Sequence, residues 1–168
     1  MIPLLPERET NYSDSFLPAT WQTVILRNHG MVPAATLAAV LGTDAETVER
    51  EAARLGLQPA AADKNWRTRG YITLIRQNWH LLSYRQLFIL LSMTRDELAF
   101  ILKEDDFLDV KLGEFKPRVT EPAYAPLTAA QLCETARAAA LVKRYDRPYI
   151  KAPFDFAADF FEVPAAAP

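Results

Sequence analysis

Cysteine and histidine are scarce: Cys133, His29 and His80 are all that 168 residues contain. A single thiol forms no internal disulfide and no thiolate cage, so a reducing compartment is the expected setting. Two isolated histidines without an HExxH pair offer no metal site, and helix-end or core roles suit them better. Five scattered glycines make neither a phosphate loop nor a dinucleotide fingerprint. No serine occupies a G-x-S-x-G elbow, and Cys133, in an Ala-rich stretch, is expected to be buried rather than nucleophilic. Long hydrophobic runs are also missing. The most apolar stretch, residues 81–93, is broken by Ser83, Arg85 and Gln86 and falls well short of the roughly 20 residues a membrane span needs. The first residues lack the basic and apolar regions of a secretory leader. These absences lead us to expect a cytoplasmic chain that is not an enzyme, with no catalytic residue, no cofactor, no metal and no membrane association.

Charge of one sign is lacking too. Lys and Arg number 19 against 21 Asp and Glu, for a formal net charge of -2. Non-specific nucleic-acid affinity comes mostly from clustered cations, so this balance argues against it.

What is present is helical punctuation. Residues 1–18, with Pro3, Pro6 and Pro18, read as an extended arm. Residues 113–127 read as a proline-bearing linker. At 128–145 an Ala-rich helix opens on a Thr128/Gln131 capping box, in which each side chain satisfies an end N–H group of the helix. Residues 146–168 read as an aromatic tail and linker.

Between arm and linker the sequence resembles itself at an offset of fifty. Thr23, Ile25, Asn28, Leu37 and Leu41 recur as Thr73, Ile75, Asn78, Leu87 and Leu91. Apolar character stays in register at Trp21/Tyr71, Val24/Leu74, Val32/Leu82, Val40/Leu90 and Val48/Leu98. Each copy divides into three helices. In the first, Pro33 falls in the first turn of the second helix, Gly42 ends that helix, and Thr43 or Asp44 caps the third. In the second, capping boxes start helices at Ser83/Gln86 and Thr94/Glu97. The expected fold is therefore all-α: tri-helical units at 19–58 and 69–112, followed by a long C-terminal helix. The wide apolar surface around Leu87 to Leu91 predicts cover from both the first unit and the Thr128 helix. Trp79, Tyr84, Phe88 and Phe100 are expected in the core.

Residues 36–57 (TLAAVLGTDAETVEREAARLGL) resemble the helix-turn-helix of bacterial regulators, through Leu37, Leu41, Gly42, Thr47, Val48, Arg50, Leu55 and Gly56. The resemblance implies a DNA-facing set of Thr43, Ala45, Glu46, Thr47, Arg50 and Arg54. The chemistry is unfavourable, because Glu46, Glu49 and Glu51 on this helix, and Asp96 and Glu97 on its counterpart, would meet phosphate. Packing or protein contact is the alternative use of such units. Residues 75–87 (IRQNWHLLSYRQL) and 102–113 (LKEDDFLDVKLG) resemble the N-terminal helical region of large bacterial glycoside-hydrolase-like proteins of unassigned function. That resemblance implies an accessory module whose sugar chemistry lies outside this chain.

Two partner-binding sets remain. Glu104, Asp105, Asp106 and Asp109 gather near a helix end, where negative charge opposes the helix dipole. Ion pairing with Lys111, Lys116, Arg118 or the basic run at 143–151 would offset that, and a partner or following domain is the alternative. The spacing fits no calcium loop. Phe156, Phe160 and Phe161 fall on one helical face and are expected either to close the chain's own core or to dock on a following domain or second subunit.

Overall fold

In the computed structural model, which describes residues 2–10, 16–62 and 64–145, capping side chains set the helix boundaries. Helix α1 spans Thr20–Asn28, and the Gln22 side-chain oxygen accepts from the Ala19 N–H at 3.2 Å. Helix α2 spans Ala34–Leu41. Pro33 is its N-cap rather than a first-turn residue, because its ψ of 143° is still extended although the ring has already fixed φ at -59°. Gly42 closes α2 in the left-handed region, at φ 69°. Helix α3 spans Ala45–Arg54; Asp44, not Thr43, caps it, accepting from the Thr47 N–H at 2.7 Å.

A second triplet follows: α4 (Tyr71–Asn78), α5 (Tyr84–Leu91) and α6 (Arg95–Glu104). Subtracting fifty from the bounds of α5 and α6 gives those of α2 and α3, and α4 ends fifty residues after α1. The Ser83/Gln86 and Thr94/Glu97 capping boxes start α5 and α6. Ser92 stands where α2 has Gly42 and takes the same left-handed turn at φ 51°. The architecture among the described residues is all-α apart from one pair of two-residue strands.

The two triplets share one hydrophobic core. α1 packs on α4 and α2 on α5, and Val24, Ile25, Leu37, Leu41, Leu74, Ile75, Leu87 and Leu90 are all buried within a single cluster. Each such side chain contributes about 1.5–3 kcal/mol by leaving water. At the centre, Asn28 and Asn78 exchange amide hydrogen bonds of 2.9 and 2.8 Å, and each also donates back to its own helix, at Val24 and Leu74. Arg27 donates to the Gln77 carbonyl while the Gln77 amide donates to the Arg27 carbonyl.

The arm and linker are structural, not loose ends. Strand β1 (Glu7–Arg8) pairs in parallel with β2 (Lys116–Pro117), so residues 109 positions apart in the chain lie side by side. The connector also reaches α5: the buried Gln86 amide donates to Val40 of α2 and to Pro122, both as carbonyl acceptors. Cover for α5 thus comes from the first triplet and the connector. The Thr128 helix, α8 (Ala129–Tyr145), packs on α3 instead. Its Thr128/Gln131 box forms as the pattern predicts, and buried Thr135 accepts from Gln22 at 3.0 Å. Thr135 and Ala139 mark its inner face, which leaves Cys133 exposed rather than buried because it lies about 200° around the helix from Thr135.

No helix among the described residues is long and apolar enough to cross a membrane.

Candidate functional site

The helix-turn-helix face comes first. Glu46, Glu49, Arg50 and Arg54 of α3 are exposed, Ala45 and, before the helix, Thr43 are partly so, and Thr47 is buried. Thr47 therefore does not face outward as the resemblance implied; its hydroxyl is held by the Asp44 cap at 3.1 Å and by Arg50 at 3.0 Å. The Tyr124 side chain of the connector raises the Arg50 pKa above its ordinary value. Arg54 grips the buried Glu51 carboxylate through both oxygens, at 2.6 and 2.7 Å. A guanidinium already serving a buried carboxylate leaves that carboxylate uncompensated if it turns to a phosphate. The outward carboxylates Glu46 and Glu49 keep the face acidic.

The acidic cluster occupies a corner built by α6 and the short helix α7 (Leu108–Lys111). Only Glu104 lies in the last turn of α6; Asp105 is its C-cap and Asp109 falls in the first turn of α7, where the dipole favours it. Asp105 accepts from the Tyr71 hydroxyl at 2.8 Å, Asp106 pairs with Lys111 at 2.7 Å and Asp109 with Lys103 at 3.2 Å. The Val110 N–H, and next Lys103, hold Asp109 below the usual carboxylate range, and Lys111 does the same for Asp106. Of the cations expected to neutralise the cluster, Lys111 does so. Lys116 is buried elsewhere and Arg118 pairs with Glu9 at 2.8 Å. Lys103, which the pattern did not single out, supplies the other pair.

Sequence reading missed the apolar half of this corner. Phe107 is 77% exposed, Val110 61% and Phe100 54%, so Phe100 is not a core residue. Asp106 and Phe107 are consecutive left-handed residues, at φ 52° and 53°. A bulky side chain there costs roughly 1–2 kcal/mol, and burial of the ring does not offset it. Between the arm and the α6–α7 corner runs a groove of about 500 Å³ lined by Ile2, Leu4, Leu5 and the corner residues Lys103, Glu104 and Asp109. The arm thus supplies the apolar wall and the acidic cluster the polar one.

A third feature is a buried cation. Lys116 has no solvent exposure, and its ammonium lies 5.4 Å from the Trp79 ring centre and 6.0 Å from that of Tyr84. Trp79 is fixed by donating to the Phe115 carbonyl at 3.0 Å, and Tyr84 by donating to the Leu5 carbonyl at 2.9 Å. Burial pulls the Lys116 pKa down to about 8, against a smaller opposing pull from Glu7. The sequence held no signal for this box beyond the aromatic residues themselves.

His29 is the C-cap of α1, with a ring nitrogen 2.8 Å from the Gln58 carbonyl, and His80 lies in the turn after α4. No group of three or more His, Cys, Asp or Glu among the described residues could hold a metal ion. Phe156, Phe160 and Phe161 lie outside the described residues, with the rest of 146–168. Comparison with family models, with curated proteins and with solved structures finds no match to this chain.

Proposed function

We propose that this chain is a non-enzymatic structural or protein-interaction module, built by duplication of a helix-turn-helix-like triplet. The observation that carries the reading is Phe107. It combines a strained backbone with an exposed ring, two costs that packing among the described residues leaves without return. A partner that covers Phe107, Val110 and Phe100 supplies the missing burial. Glu104 and the groove wall beside it give that contact polarity. The equal spacing of the helix bounds and the reciprocal Asn28–Asn78 bonds support duplication. An accessory N-terminal role in a larger carbohydrate-related protein is the fuller form of this proposal, and it rests on the resemblance of residues 75–87 and 102–113 alone.

DNA binding through residues 43–54 is the alternative, kept open because Arg50 and Arg54 retain partly exposed side chains. A photo-crosslinking amino acid placed at Phe107 or at Glu46, in the cells the chain comes from, separates the two. Protein adducts at Phe107 and none at Glu46 are expected. Nuclease-sensitive adducts at Glu46 would instead establish the DNA reading.

A further inference from the structure

Among the described residues, Lys116 is held in the interior by one side-chain hydrogen bond and two aromatic rings rather than by a carboxylate. That hydrogen bond runs from the ammonium to the Pro117 carbonyl at 2.9 Å, and the Trp79 and Tyr84 rings lie around it. Glu9, further along the arm, is engaged with Arg118. Glu7 lies opposite Lys116 in the strand register yet stays exposed. The strand alongside Lys116 is held by a short set of bonds, the Arg118–Glu9 pair among them, and by Leu4 and Leu5, which are only partly buried against the core. Pro6 and Arg8 accept from the Lys116 and Arg118 N–H groups, each at 2.8 Å, Leu5 accepts from Tyr84, and Arg8 sits 5.2 Å over the Phe115 ring.

We infer that residues 2–10 are a strap that detaches from β2 without unfolding the core, and that the charge on Lys116 biases the strap toward its open position. An open strap lets water reach the ammonium, and a closed one does not. The groups facing Lys116 are Glu7 on β1, His80 in the turn after α4 and Tyr84 on α5. Glu7 favours the charge. Partial burial, then Lys116 and Arg27, hold His80 below its ordinary value, so it adds little positive charge near neutral pH. Burial pushes Tyr84 far up, so it is neutral while the strap is closed.

The sign follows from linkage. A lysine that ionises near 8 when covered and near 10.5 in water favours the closed strap as it loses its proton. The closed-to-open ratio therefore rises with pH by roughly 300-fold over that whole span, and by about tenfold between pH 7 and 9. Above about pH 10 a hydrated Tyr84 would ionise and reverse the trend. Opening also removes Ile2, Leu4 and Leu5 from the groove wall; only this consequence rests on the interaction reading.

Hydrogen exchange of the Lys116 and Arg118 amides, corrected for intrinsic rates, tests the strap whether or not the groove binds anything. Protection in the full chain is expected to rise about tenfold from pH 7 to pH 9, while core amides such as Leu87 and Leu98 stay more protected throughout. Lys116→Met is expected to be more than tenfold better protected than the unsubstituted chain at pH 7, with no such trend. Flat protection from pH 7 to 9 overturns the inference, as does exchange of both amides only together with the core. The pH series on the unsubstituted chain decides the matter even if the variant fails to fold.

Discussion

Asn28 and Asn78 are buried amides that satisfy each other, so neither can be lost alone without leaving the other short of a partner. Asn28→Ala is expected to cost about 2–3 kcal/mol in urea denaturation. The double change Asn28→Leu with Asn78→Leu should cost clearly less than the sum of the two single leucine changes, because no orphaned amide remains. Ser92 offers a gain instead. At φ 51° it occupies the position that Gly42 fills in the first triplet, so Ser92→Gly should raise stability by about 1 kcal/mol. Thr23 has a buried hydroxyl with no hydrogen-bond partner among the described residues, and Thr23→Val should raise the thermal midpoint for that reason. At this scale the sequence was most informative about caps: Ser83, Thr94 and Thr128 announce helix starts through a partner three residues on. It was least informative about Lys116 and Phe107. Lys116 owes its burial to an arm more than a hundred residues upstream, and the exposure of Phe107 follows from a left-handed turn that no glycine or asparagine marks.

Among the elements, α5 shows how a periodic pattern is read correctly in kind and incompletely in detail. Its broad apolar surface predicts cover on more than one side, and α2 supplies one side. The other comes from the connector, which composition alone marked as a linker because prolines break helices without saying whether the chain around them is buried. Gln86 joins the three parts through Val40 and Pro122. Gln86→Ala removes both bonds and half of a capping box, and an expected loss of about 2–4 kcal/mol should appear as a lower denaturation midpoint. A loss under 1 kcal/mol would mean the connector is held by other contacts. Helix α8 shows the opposite difficulty. Alanine makes the helix certain and its inner face obscure, so the pattern does not show that Cys133 faces outward.

For the whole molecule, the two triplets bury α1 and α2 against α4 and α5, while α8 packs on α3 and the α6–α7 corner keeps Phe107 and Val110 exposed. On α3 the cations serve Glu51 and Thr47, and the carboxylates Glu46 and Glu49 stay exposed. The acidic bias was legible from residues 44–51 alone; the engagement of the arginines and the apolar half of the corner were not, since both depend on contacts between distant segments. The central claim is that these helix-turn-helix-like units serve packing and protein contact rather than DNA. Titrating labelled duplex DNA with the full chain at physiological salt tests it most directly. No salt-dependent binding is expected up to roughly 10⁻⁵ M protein, whereas binding tighter than about 10⁻⁶ M that weakens steeply with added salt would contradict the claim.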